Sequence, residues 1–352
     1  MNELESPVEV HTELQLNNFI NKTFDEIKSN TYYATGQARK TDCSAPAPIR
    51  ISWKAKADKG KIDGYNVFIS ENEDFTDPFE FSSTKSYFDF YNAKLNTKYY
   101  CKVASSGFES EIMSFTTTDK GPRNIYVDGV RNVRDLGGYG YIKQGMLYRG
   151  GAFESMDEDT HKVSVNITKK GKDTVRNVLK IKTEVDVRKN LSESGWIENC
   201  QLENSTVEGV NYVALPMYYG GQNVLTYKDD NYDDPAAIKQ FFSILAKEDS
   251  YPVYFHCSHG KDRTGGLAYV VEALLGMDEE SMFRDYLFSN FASAMDYHMV
   301  PTGITGNFGK TLAEYEQEDT TLSLAQRTYD YLKNVVGIST TELDLTINLL
   351  RA

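Results

Sequence analysis

Residues 256–265 read HCSHGKDRTG. An apolar, strand-like run, YPVYF (251–255), precedes them. A helical stripe of Leu267, Val270, Val271, Leu274 and Leu275 follows and stops at Gly276. The segment is therefore a loop that leaves a strand and opens a helix. A free cysteine titrates near about 8.5, but at a helix N-terminus it faces backbone N–H groups and the positive end of the dipole, which favour the thiolate. The same N–H groups, from Ser258 through Lys261, can cradle the oxygens of a phosphate. Gly260 allows close backbone approach. Arg263, six positions after Cys257, can return over the loop and grip two phosphate oxygens with its planar fork, which lysine cannot do. Thr264 follows at the helix start, where its hydroxyl can bond the sulfur. Cys257 and Arg263 are thus the candidate catalytic pair. Ser258, His259, Gly260, Lys261 and Thr264 are the candidate phosphate-binding residues, and no metal or cofactor is required.

A structural cysteine buried in a core is the common fate of the residue type, but it leaves Gly260, Arg263 and Thr264 without a reason. A zinc cluster of His256, Cys257 and His259 fails because neighbouring strand residues point to opposite faces and no second ligand pair exists. At typical residue frequencies of roughly one in fourteen to one in forty per position, the whole combination arises by chance well below about one time in ten thousand. Asp262 reads two ways, as an acid for the leaving oxygen or as a group that orients Arg263 or the loop. It is the first candidate for the acid and joins Cys257 and Arg263 in the catalytic set.

Outward from the loop, 178–187 (VLKIKTEVDV) and 251–256 read as strands. A long helix over 322–336 ends at Gly337, and another begins at Ser339 with Glu342 completing a capping box. Alternating strands and helices predict an α/β domain around a mostly parallel sheet, spanning 119–352.

With these segments in view, the chain resembles the cysteine phosphatase superfamily, whose signature is HCxxGxxR followed by Ser or Thr. The finer resemblance is to bacterial tyrosine phosphatases with HCxxGKDRTG, a group that includes secreted enzymes of pathogens. VRNVRDLGGY (130–139), GMLYRGG (145–151), EVDVRKNLSE (184–193) and FRDYLFSN (283–290) match further motifs of that group in order. The resemblance covers about 120–352. It implies the cysteine-phosphatase fold and hydrolysis of phosphotyrosine or a related phosphomonoester. Lys261 adds the alternative of phosphoinositide or inositol-phosphate substrates. A silent phosphate-binding or adhesion protein is the reading from another class. In relatives a carboxylate can follow a Leu-Pro strand end, but here Leu215-Pro216 is followed by Met217, Tyr218 and Tyr219. Asp229, Asp230, Asp233 and Asp234 lie further along a polar loop that reads first as solvated, and Tyr218 and Tyr219 could line the pocket. Arg134, Asp135, Arg149, Asp186 and Arg188 read as pairs that tie loops together rather than as substrate contacts.

Before the α/β domain, Ile49–Trp53, Tyr65–Ile69 and Tyr99–Val103 alternate apolar and polar residues, with turn-rich segments between them. These short strands predict an antiparallel sandwich over 46–118 that resembles a fibronectin type III module, with Tyr99 at the place of that family's corner tyrosine. Its ligand is not identifiable from the residues. Residues 1–45 read as an extension with an amphipathic helix over 12–28, capped by Thr12 and Gln15, and 116–124 read as a linker. The 352-residue chain carries 51 acidic against 38 basic side chains, a net −13, which argues against nucleic-acid partners. No stretch is long and apolar enough to span a bilayer, and MNELESPVEV lacks the features of a secretory signal. An extracellular-type module joined to such a phosphatase leans towards export in a bacterium, although a reactive cysteine there would be exposed to oxidation.

Overall fold

The computed structural model describes residues 1–29, 42–55, 62–156, 163–188, 203–218, 226–229, 233–292 and 321–352. They form two units: Met1–Glu13 with Pro46–Lys120, and Leu14–Ala45 with Gly121–Ala352. The segment 1–45, expected as an extension of its own, is thus divided between them.

The first unit is all β. Its strands are β1 (Ile49–Ser52), β2 (Tyr65–Ser70), β3 (Phe79–Ser83), β4 (Tyr87–Phe90), β5 (Lys98–Ser105), β6 (Phe108–Glu109) and β7 (Met113–Thr116). β1 pairs with β4, while β2 lies between β3 and β5, and β5 also pairs with β6 and β7; all these pairings are antiparallel. Ile49, Ile51 and Phe90 from one sheet meet Val67, Ile69, Tyr99 and Cys101 from the other in a common core. The period of two puts those side chains inward. The Tyr99 hydroxyl accepts from the Lys94 N–H at 2.8 Å, fixing the turn into β5.

The helix expected over 12–28 is interrupted. A helical stretch over 13–20 ends at Asn21, and α1 (Phe24–Ser29) begins after Thr23. The cap is made by Thr23 and Glu26, each accepting from the other's N–H. Gln15 instead lies buried and donates to the Cys43 and Ala45 carbonyls. The expected linker 116–124 also holds structure: Thr117 is buried and Arg123–Asn124 form the first strand of the second unit.

That unit's main sheet uses β8 (Arg123–Asn124), β9 (Arg134–Asp135), β10 (Leu147–Gly150), β13 (Thr183–Asp186), β14 (Asn211–Ala214) and β15 (Val253–His256), in the order β14-β13-β15-β10-β9-β8. A hairpin of β11 (Glu154–Met156) and β12 (Val163–Val165) stands apart from it. The four strands from β14 to β10 are parallel and the last two antiparallel. The strand expected over 178–187 is shorter, because Thr174–Val178 are helical and only Thr183–Asp186 pair. Around the sheet lie α2 (Lys169–Asp173), α3 (Asp234–Leu245), α4 (Asp262–Leu275), α5 (Glu279–Phe288), α6 (Leu324–Tyr331) and α7 (Thr340–Leu350). Ser323 with Gln326 and Ser339 with Glu342 close capping boxes on α6 and α7. No helix among the described residues is long and apolar enough to cross a membrane.

β15 is buried along its whole length between β10 and β13. The chain leaves it into the loop 257–261 and re-enters order as α4, all of which is buried except Asp262. Parallel strands deliver their carboxyl ends to one edge of the sheet, where open α/β folds place their ligands. Cys257 stands at that edge.

Candidate active site

The loop after β15 is held from outside through its carbonyls. The Cys257 oxygen lies 3.1 Å from His256 Nδ1. The Ser258 oxygen accepts from the Ala152 N–H. Asn132 Nδ2 donates to the His259 and Gly260 oxygens at 3.0 and 3.1 Å, and Arg149 donates to the Gly260 oxygen at 2.8 Å. The Lys261 oxygen accepts from the Gly265 N–H inside α4. In a trans peptide the N–H points opposite to the C=O. Carbonyls pulled outward therefore turn the amides of 258–262 towards the inside of the loop, giving the cup of donors that an anion needs. Gly260 has φ +67°, and a Cβ there would fall 2.2 Å from the Gly150 oxygen, so glycine is required both for conformation and for the approach to β10.

Inside this cup Cys257 is buried, as are Arg263 and Thr264. Burial pushes the thiol pKa up. The Arg263 charge and the hydroxyl and N–H of Thr264 outweigh burial and the opposing charge of Asp262, so the net pKa lies below the ordinary thiol value. Arg263 reaches the end of β13, where its guanidinium lies 3.5 Å from the Val187 oxygen. Lys261 is buried at the loop, and desolvation lowers its pKa. His259 is held neutral near pH 7, its pKa pushed down to about 4 by desolvation and by the charges of Lys261, Arg131 and Arg263. Ser258 is half-buried and contributes its backbone to the loop. Asp262 is the first residue of α4 and half-buried.

Two of the arginines singled out in the sequence, Arg134 and Arg149, support the loop. Asp285, on α5, accepts from Arg134 Nε at 2.8 Å and also from Arg149 Nη1. Arg134 bonds Asn132, and Asn132 and Arg149 bond the loop, so one buried carboxylate anchors both supports. Asp135 pairs with Arg123, and Arg188 bridges Asp186 and Glu154. His256 turns its Nε2 to Glu184, 2.9 Å away. Sequence reasoning missed Asn132, Glu184 and Asp285. The signal was present, since all three sit inside motifs already noted. Asp285→Asn leaves two buried guanidinium groups without their carboxylate and is expected to cost about 3–5 kcal/mol. Chemical denaturation should show that loss; a change under about 1 kcal/mol would mean that the network does not hold the loop.

Of the acidic loop residues, Asp229 is exposed and accepts from the Tyr227 hydroxyl, and Asp233 caps α3 and pairs with Lys228. Asp234 is different. It is fully buried, and its Oδ1 accepts from the Tyr218 N–H at 2.9 Å. The Tyr218 ring stacks on Tyr227 with centroids 3.6 Å apart. Asp230 and Tyr219 lie outside the described residues.

Residues 125–350 match a family described as "Tyrosine phosphatase family". No curated protein matches the chain. Among solved structures, the chain is similar to the core catalytic domain of the PP-IP phosphatase SIW14 from S. cerevisiae, in complex with citrate. The identity is 14%, with 50% of this chain and 92% of that one covered and a TM-score of 0.28. A second structure of the Siw14 catalytic core gives 14% identity, 49% and 87% coverage and a TM-score of 0.28.

Proposed function

The chain belongs to the tyrosine phosphatase family, and from that premise we propose that it hydrolyses phosphotyrosine or a related aryl phosphomonoester through a phosphocysteine intermediate. At the coarser level it is a cysteine-based phosphatase, a phosphoric monoester hydrolase. The observation that carries the finer reading is a buried sulfur whose thiolate is favoured by Arg263 and Thr264 at the floor of an inward-facing amide cup. In the first step the thiolate attacks phosphorus while the amides of 258–262 and the Arg263 fork hold the equatorial oxygens, where transition-state charge is spread. Water then attacks the phosphocysteine and the thiolate leaves, with the Thr264 hydroxyl facing the sulfur. Each step needs only groups of this loop and a proton source.

A second reading keeps the chemistry and changes the substrate to polyanionic head groups such as phosphoinositides. It is supported by Lys261 and Arg131, whose charges both act on His259 beside the loop. Parallel assays on phosphotyrosine peptides and on phosphoinositide head groups separate the two. We expect peptide turnover to dominate; lipid turnover higher by orders of magnitude would replace the first substrate class with the second. The N-terminal β unit is read as a fibronectin type III-like module, a reading supported by the Tyr99 hydroxyl on the Lys94 amide five residues upstream.

A further inference from the structure

The proposed hydrolysis benefits from a proton for the departing oxygen, since the tyrosine phenolate, with a conjugate acid of pKa about 10, is a mediocre leaving group. In the family that the chain resembles a carboxylate can follow a Leu-Pro strand end, and the Leu215-Pro216 strand end carries none within its own sequence. The fold brings one there from elsewhere. The Val187 oxygen, at the end of β13, accepts from the Met217 N–H at 3.3 Å and lies 3.5 Å from Arg263 Nη1. The next amide, that of Tyr218, donates to Asp234 Oδ1. One peptide therefore separates the carbonyl that meets the phosphate-gripping arginine from the amide that holds this carboxyl. On its other side the Asp234 N–H donates to the Tyr227 oxygen at 3.0 Å, which ties the start of α3 to the segment whose Tyr227 ring stacks on Tyr218.

Asp234 Oδ2 is buried and has no hydrogen-bond partner among the described residues. A buried carboxylate oxygen with no donor is costly, whereas a protonated one is a hydroxyl waiting for an acceptor. We propose that Asp234 is the proton donor to the leaving oxygen, an assignment that rests on the phosphocysteine reading. As the Cys257 Sγ–P bond forms and the P–O bond breaks, the proton on Asp234 Oδ2 passes to the departing oxygen and leaves a carboxylate. In the second step that carboxylate takes a proton from the attacking water as the Sγ–P bond breaks, restoring acid and thiolate together.

The protonation state agrees. Burial raises the Asp234 pKa from 3.8 to about 7, and the charges of Asp233 and Asp229 add to the rise. The Tyr218 amide and Arg263 oppose it without cancelling it. Tyr227, a further titratable neighbour among the described residues, has its pKa pushed up to about 12. A phosphate dianion bound beside Arg263 neutralises the opposing charge and holds the proton in place until it is needed. Asp262 enters differently: a negative charge there raises the Lys261 pKa and opposes the lowering at Cys257.

The test compares an ester of a weakly acidic phenol, phenyl phosphate, with an ester of a strongly acidic one, difluoromethylumbelliferyl phosphate. Asp234→Asn is expected to lower kcat/KM on the first by about 100-fold or more, the size of a lost general acid, and on the second by about threefold or less. The basic limb of the kcat/KM–pH profile near pH 7 should disappear. Equal losses on the two esters would mean that Asp234 only positions Arg263, and a leaving-group-selective loss in Asp262→Asn instead would give the role to Asp262; either overturns the assignment. Thermal unfolding reports on the same proton. A folded pKa raised from 3.8 to about 7 makes wild type lose stability as pH rises through that window, and asparagine does not. The Tm advantage of Asp234→Asn should therefore grow from pH 4 to pH 7 and level off above. A constant difference overturns the protonated carboxyl and the donor with it. Activity surviving in Cys257→Ser overturns the phosphocysteine reading itself, whichever way the aspartate variants behave.

Discussion

Cys257→Ser lowers turnover of an aryl phosphate by about 10⁴-fold or more, the scale of removing a nucleophile from a set of groups that act as a unit. Serine keeps about the size of the side chain. Its hydroxyl titrates far above the thiol, however, and the histidines of the loop are poorly suited to take its proton. His256 is committed to Glu184, and desolvation together with the charges of Lys261, Arg131 and Arg263 pushes the His259 pKa down to about 4, which makes it a weak base. Phosphate affinity should survive, because the amide cup and Arg263 do not depend on the sulfur. Chelators should leave wild-type activity intact and vanadate should block it, since vanadate offers the sulfur a phosphorane-like centre. The thiol itself provides a further check. Its pKa lies below 9.0, so alkylation by iodoacetamide should reach half its limiting rate below that pH, and Arg263→Met should move the midpoint upward. Activity retained in Cys257→Ser, or lost to chelator, would put the chemistry on a different centre.

What the sequence disclosed and what it withheld divide along a physical line. The loop 256–265 is legible because what is expected of Gly260, Arg263 and Thr264 is tied to local geometry: a positive φ, a reach of six residues from Cys257, a place on the first helical turn. The period of two in Tyr99, Cys101 and Val103 is legible for the same reason, since every second residue of β5 must face one core. The groups that orient the loop are not local. Asn132, Arg149 and Asp285 lie far apart along the chain and meet only because β10 runs parallel to β15 while α5 packs nearby. Asp234 is the extreme case. Its place in an acidic, tyrosine-containing run reads as solvated surface, and only the capping of α3 by Asp233 and the bond to the Tyr218 amide turn it inward. Local reading fails as well where tertiary contacts recruit a cap. Gln15 was expected to cap a helix, and two carbonyls from the chain around Ser44 claim its amide.

The network beneath the loop also bears on how the site is held rigid. Asp285 keeps its carboxyl ionised against burial because Arg134 and Arg149 flank it, while Glu272, buried beside the same three groups, is driven far above the ordinary carboxylate range by burial and the Asp285 charge. Two cations are thus balanced by one anion and one neutral acid. The residual positive charge lies directly behind the Gly260 carbonyl, which Arg149 holds. A loop built to receive a dianion gains from a positive field behind it, and a buried group keeps that field when salt screens the surface. This positive ground lets a chain of net charge −13 bind an anionic ester at one point.

Arg263→Lys separates charge from shape. The ammonium keeps the positive charge near Cys257, so the thiol pKa should rise only slightly and alkylation rates should stay near wild type. Turnover should nonetheless fall by about 10²–10³-fold, the cost of losing a preorganised donor to the equatorial oxygens. Lysine offers a point charge on a flexible stem and cannot present two parallel N–H groups to the phosphoryl group while a third meets the Val187 carbonyl. The loss should appear mainly in kcat, because the fork fits the trigonal transition state better than the tetrahedral ester, and only that difference accelerates the step. Arg263→Met removes the charge as well and should raise both KM and the thiol pKa. The pair is measured by steady-state kinetics alongside iodoacetamide titration. A lysine variant with near-wild-type kcat would mean that Arg263 acts as charge alone, and the bidentate grip would have to be abandoned.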